Sequence, residues 1–171
     1  MHGIDDQTTG LLIRPAQPDE YAAIAALTVD VYVGDGYVAD GNDYVRELAD
    51  VAHRAAEAEV LVALHDGRVV GSLTVAEPGT PYAEIALPGE LEFRMLAVAK
   101  QARGLGVGTG LVRAVIDEAR SGGYEAVALT TMFSMVDAHR IYERLGFVGV
   151  PERDWATHDG LQLFVMRLAL R

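Results

Sequence analysis

The sequence predicts a mixed α/β fold in a single domain spanning residues 1–171. Three observations carry that prediction. Strand-like and helix-like segments follow one another as β-α-α-β-β-β-α-β-α-β-β, with hairpins early and at the end and strand–helix alternation between them. Half of the residues are hydrophobic and 23% are charged, the balance of a chain that can bury a core. No internal repeat and no long linker divides the chain.

Each element has its own signal. Leu11-Leu12-Ile13-Arg14 reads as a strand ended by Pro15. Pro18 opens a helix with Asp19 and Glu20 in its first turn, where negative charge suits the helix dipole. Tyr21, Ile24, Ala25, Thr28, Val31 and Tyr32 continue it at helical spacing, and Gly34-Asp35-Gly36 breaks it. A second helix starts near Asn42, with Tyr44, Leu48, Val51, Ala52 and Ala55 on one face. Val60–Leu64 and Arg68–Val75 flank Asp66-Gly67, a hairpin signature. Residues 77–89 hold three prolines and read as a loop.

Leu91–Val98 is the next strand. Simple alternation sends Leu91, Phe93, Met95 and Ala97 to one face, and Glu92, Arg94, Leu96 and Val98 to the other. A helix covers about Gly106–Arg120, with Leu111, Val112, Val115, Ile116 and Ala119 inward. Ala126–Thr131 is a continuous β run of the kind buried in a sheet centre. Ala138, Ile141, Tyr142 and Leu145 form a helical stripe closed by Gly146. Phe147–Val150 and Leu161–Leu168 are the last two strands.

Charge narrows the function. The net charge is −11, which disfavours a nucleic-acid partner. It is unevenly spread: residues 1–92 carry 4 basic and 17 acidic residues, and residues 93–171 carry 10 basic and 8 acidic. The longest stretch without an acid, Phe93 to Ile116, holds Arg94, Lys100, Arg103 and Arg113 and is rich in glycine. The chain has no cysteine, which excludes disulfides, thiolate metal sites and cysteine nucleophiles. The five histidines show no metal-ligand spacing, so no metal is expected. No apolar run is long enough to span a membrane, and Met1-His2-Gly3-Ile4-Asp5-Asp6 does not read as a secretory leader. The default location is the cytoplasm.

The central motif is Arg103-Gly104-Leu105-Gly106-Val107-Gly108-Thr109-Gly110, between a strand and a helix. Glycines let a ligand approach the backbone closely, and the first N–H groups of a helix lack intrahelical acceptors. Such a turn can hold a phosphate; its alternative role is tight strand–helix packing. No Gly-Lys-Ser/Thr follows, so it is not a P-loop, and no register gives the dinucleotide fingerprint Gly-x-Gly-x-x-Gly.

Arg103-x-x-Gly106-x-Gly108, after the strand Glu92-Phe93-Arg94-Met95-Leu96-Ala97-Val98, resembles the acyl-CoA motif of the GNAT superfamily of N-acetyltransferases. Ala138-x-x-x-Tyr142-Glu143-Arg144-Leu145-Gly146-Phe147 resembles that family's late helix. The two pieces fall at about 91–120 and 137–148. The resemblance implies a mostly antiparallel central sheet flanked by helices, with a splayed strand pair for acyl-CoA. Backbone N–H groups from about Gly104 to Thr109 (Gly104, Leu105, Gly106, Val107, Gly108, Thr109) would hold the pyrophosphate, with Arg103 adding charge. The pantetheine arm would run along Leu96, Ala97 and Val98, and an N–H near Leu96 or Val98 would face the thioester oxygen.

The resemblance also supplies catalytic candidates. Tyr142 matches the family's proton donor to the leaving thiolate, although its place on the apolar stripe also fits core packing. Glu92 is the general-base candidate, with a salt pair to Arg94 as its alternative; Glu90 is weaker, and an ordered water is another route. Tyr32, Tyr37, Asp35 and Asp40 fall where members shape the acceptor pocket, or form a solvated loop. Trp155 lines the acceptor site or covers core. Met135 stands where many members carry an asparagine, with Ser134 as a possible substitute donor. The expected function is transfer of an acetyl group from acetyl-CoA to a primary amine on a small molecule or peptide, by direct attack. The enzyme would act as a monomer or homodimer, with no nucleic acid and no membrane. The alternative is a non-catalytic acyl-CoA-binding or regulatory module on the same fold.

Overall fold

Strands β5 (Glu90–Val98) and β6 (Ala126–Thr131) are parallel neighbours in the middle of a sheet that is otherwise antiparallel among the described residues. A computed structural model describes residues 10–171 and the backbone of residues 4–6. Of the segment Met1–Asp6, which the sequence does not read as a secretory leader, Met1–Gly3 with His2 lie outside the described residues. Toward one edge, β5 is followed by β4 (Arg68–Ala76), β3 (Glu59–His65), β2 (Leu11–Pro15) and β1 (Ile4–Asp6). Toward the other edge, β6 pairs with β9 (Gln162–Ala169), which pairs in turn with β7 (Val148–Gly149) and β8 (Trp155–Ala156). β1 and β8 were not expected; three and two residues are too short to show a period.

Turn chemistry explains the hairpin. Asp66 and Gly67 both have positive φ, 51° and 79°, the twist that lets β3 run directly into β4. Helices α1 (Tyr21–Gly34), α2 (Asp43–Ala49) and α3 (Val51–Glu57) cover one face of the sheet. The single helix expected from Asn42 is two. Asp50 leaves helical geometry and its carboxylate accepts from the His53 N–H. Arg54, only 1% exposed, donates to the carbonyls of Glu47 and Leu48 that end α2, and to Thr74 Oγ1. A buried guanidinium thus takes the place of the next helical turn.

On the other face, α4 (Val107–Ser121) and α5 (Val136–Arg144) pack against the sheet. The expected inward residues of α4 are all buried. Its close seating requires glycine: a Cβ on Gly71 of β4 would lie 2.5 Å from Val107 Cγ1.

One departure shapes everything that follows. Residues 72 and 74 of β4 pair with 97 and 94 of β5, so β5 spends one residue more than its partner. Met95 has φ 61° at this β-bulge. The extra residue inverts the expected alternation. Leu91, Phe93, Leu96 and Val98 pack with the α4 side, while Met95 and Ala97 pack with Val31, Tyr32 and Leu48 of α1 and α2.

Candidate active site

The parallel pairing of β5 and β6 ends at Phe93–Leu129, although both strands continue. Beyond that point they diverge around a cavity of about 520 Å³. Its walls come from both faces of the sheet. Phe93, Leu96, Val98, Gly108, Ile141 and Tyr142 lie on the α4/α5 side, and Tyr32, Tyr37, Arg94 and Met95 on the α1/α2 side. The cavity therefore passes through the sheet, with the bulge at its waist.

At one end lies the glycine turn. Arg103, Gly104, Gly106, Val107, Gly108 and Thr109 line the cavity, while Leu105 points outward and is 38% exposed. Gly104 and Gly106 have φ of 92° and 77°, and a Cβ on either would meet nothing within 4 Å. Open space in front of two left-handed glycines, at the start of a 15-residue helix, is what an approaching phosphate needs. Gly108 and Gly110 do a different job. A Cβ there would come within 2.7 Å of Ile141 Cδ1 and 2.8 Å of Ile13 Cδ1, so these two glycines serve helix–helix and helix–sheet packing.

The cations at this end are held by a carboxylate. Arg103 Nη2 lies 2.8 Å, and Lys100 Nζ 3.5 Å, from the two oxygens of Asp35 at the end of α1. The acid-free segment of the sequence is thus met in space by an acid from the opposite half.

Tyr142 is 4% exposed, packed edge-on against Phe93 at 5.8 Å and tilted against Phe147 at 5.9 Å. It lines the cavity. Burial, and next the neighbouring Tyr37, push its hydroxyl well above the usual tyrosine range, so it stays protonated and able to donate.

The carboxylates expected as bases have other partners. Glu92 is fully buried, and its Oε1 accepts the backbone N–H groups of Glu84, Ile85 and Ala86 at 2.9, 3.0 and 3.0 Å. It does not line the cavity. It wraps the 81–89 loop around the start of β5, and the expected pair with Arg94 does not form. Glu90 accepts from Arg153, from Arg167 Nε at 2.7 Å and from the Leu87 N–H. Burial would raise this carboxyl, but these donors, Arg153 foremost, hold it down at about 2.

Arg94, which did not figure as a site residue, does line the cavity. Its Nε lies 3.0 Å from Glu84 Oε1, and its Nη1 3.7 Å from Glu47 Oε1. The Glu84 carboxyl is raised by burial, with Arg94 pulling the other way. Ala97 is 1% exposed and packs into the α1/α2 side, so of the strand residues proposed for the arm only Leu96 and Val98 reach the cavity with their side chains. Met135 lines it, whereas Ser134 does not. Trp155 borders a separate open hollow with Glu84, Ile85 and Arg153.

Known proteins resemble this chain in sequence and fold. "Probable N-acetyltransferase camello" of Xenopus tropicalis is 41% identical over 86 residues, 50% of this chain and 36% of that protein. The chain spans less than half the length of the curated relatives it matches. A GCN5-related N-acetyltransferase from Kribbella flavida superposes with a TM-score of 0.70 at 26% identity, over 96% of this chain and 100% of that one. "yncA, a putative ACETYLTRANSFERASE" of Salmonella typhimurium, solved with its cofactor acetyl-CoA, gives 0.67 at 23% identity over 95% of each chain. The model of the acetyltransferase (GNAT) family matches residues 22–147, most of the sequence and all of the cavity wall, and this chain belongs to that family.

Proposed function

We propose that this chain is an acyl-CoA-dependent N-acetyltransferase, built as one domain, that moves an acetyl group from acetyl-CoA to a primary amine by direct attack. The observation that carries this reading is the cavity running through the β5–β6 divergence, with an anion-ready glycine turn at one end and a protonated tyrosine in its wall. The phosphates of acetyl-CoA lie against the N–H groups from Gly104 to Thr109, and Arg103 and Lys100 exchange Asp35 for phosphate. The pantetheine arm follows Leu96 to Val98. A strand N–H near Leu96, released from the β4 ladder by the bulge, polarises the thioester carbonyl.

The amine enters from the α1/α2 side. Its lone pair forms the C–N bond, the C–S bond breaks, and Tyr142 donates a proton to the departing thiolate from the α4/α5 side. Water in the open mouth takes the amine's proton out to solvent and returns one to Tyr142. A buried Glu92 held by three amides serves the loop rather than the proton. A cytoplasmic setting is part of the proposal: a cysteine-free chain needs no oxidising compartment.

Release of free thiol from acetyl-CoA across a panel of primary amines tests the reading. We expect turnover with at least one amine, and a loss of about 100-fold in kcat for Tyr142→Phe with acetyl-CoA affinity retained. Acetyl-CoA binding without turnover on any amine would favour the non-catalytic module. A wild-type kcat in Tyr142→Phe would remove Tyr142 from the chemistry.

A further inference from the structure

The cavity wall contains a polar group with no partner. Thr130 lines the cavity, and its hydroxyl oxygen is buried with no hydrogen bond. The buried serine and threonine hydroxyls elsewhere among the described residues are satisfied: Thr28 by the Ile24 carbonyl, Ser72 by the Leu61 carbonyl, Thr74 by Arg54, and the adjacent Thr131 by His139 Nε2 at 2.9 Å. Leaving a buried hydroxyl unpaired costs about 1–3 kcal/mol, which a valine of the same shape would avoid. Glu59, Glu118 and Trp155 also hold an unpartnered buried atom, but of these four residues Thr130 alone lines the cavity, where a ligand can supply the partner.

The fold says from which side that ligand comes. Val127 and Leu129 of β6 join the core under α4, so Ala128 and Thr130 face the opposite way. Ala128 is level with Glu92 on one neighbour and with Arg167 on the other. Thr130 is the first residue of β6 beyond the last β5 pair, in the row of Arg94. Its hydroxyl thus stands on the α1/α2 side of the waist, across the sheet from Tyr142.

Resting on the acyl-transfer reading, we infer that Thr130 Oγ1 is the hydrogen-bond acceptor for the attacking amine. A hydroxyl suits this position because it is neutral. It takes one N–H of an uncharged primary amine and leaves the nitrogen lone pair free to attack, whereas a carboxylate there would favour the ammonium, whose lone pair is already protonated. Thr130 thus selects the reactive protonation state of a primary amine and aims it at the thioester.

The test uses the full chain, an amine accepted by the wild type, and the variants Thr130→Val and Thr130→Ser. For Thr130→Val, kcat/KM for the amine should fall by about 10- to 100-fold, with acetyl-CoA Kd unchanged and thermal stability equal or higher. Thr130→Ser should recover most of the loss. A purely structural hydroxyl would change melting alone. Unchanged amine kinetics in Thr130→Val overturns the inference, as does a parallel weakening of acetyl-CoA binding, which would assign the hydroxyl to the pantetheine arm. A wild type that binds acetyl-CoA but acetylates no amine overturns the transfer reading itself, and this assignment with it.

Discussion

Glu92 and Arg94 lie two residues apart and project to one face, yet they serve different structures. Glu92 turns into the 81–89 loop and takes three backbone N–H groups, whereas Arg94 reaches toward α2 and the cavity. Glu92→Gln should therefore act on stability. A charge-assisted acceptor becomes a neutral one with an amine facing N–H groups, at a cost of about 1–2 kcal/mol, or about 3–6 °C in melting temperature for a chain of this size. The pH dependence of kcat/KM should keep its shape. Loss of turnover with melting unchanged, and disappearance of the acid limb, would return Glu92 to the role of base. Sequence could place Glu92 at the start of the motif strand because the order of elements along the chain and the position of a motif are read locally. It could not reveal the partners of its carboxylate, because the donors come from a loop whose path no periodicity encodes.

At the scale of elements, the strands and helices around the cavity were legible because each has a strong period or a capping residue. The glycine turn, the α4 face and the α5 stripe all stand where the sequence puts them. The bulge was not legible. One extra residue in β5 leaves the hydrophobic content unchanged but inverts every side chain after Arg94, which sends Ala97 away from the cavity and leaves Leu96 and Val98 facing it. The split between α2 and α3 escaped for a similar reason, since it depends on Arg54 replacing a helical turn from another element's side.

The α4–β3 contact holds a carboxyl pair with a pH signature. Glu118 of α4 is pushed up to about 7 by burial and by the adjacent Glu59 of β3, and one oxygen of each is buried without a partner. The folded chain then holds a proton that the unfolded chain, with an ordinary value near 4.5, gives up. This contribution is fully present below about pH 4.5 and is lost as pH rises toward 7. Glu118→Gln should therefore melt close to wild type near the lower limit and about 2–4 °C higher at pH 8, a gain of about 1 kcal/mol after solvent screening. An equal shift at both pH values, measured by thermal melts, would show that the pair does not share a proton.

Over the whole molecule, the net charge of −11 conceals a division of labour that the fold then partly reunites. The acid-rich first half supplies α1, α2 and the loop before β5, and the acid-free segment supplies the glycine turn. Asp35 crosses between them to hold Arg103 and Lys100. The central claim is that the cavity through the sheet receives acetyl-CoA with its phosphates at Gly104–Thr109. Calorimetric titration of acetyl-CoA into the wild type and into Gly106→Val tests it most directly, with circular dichroism confirming that the variant folds. A valine Cβ would project into the open space now in front of Gly106. The account predicts saturable binding by the wild type and at least about a tenfold loss, about 1.4 kcal/mol, in the folded variant; equal affinity in the two proteins would contradict it.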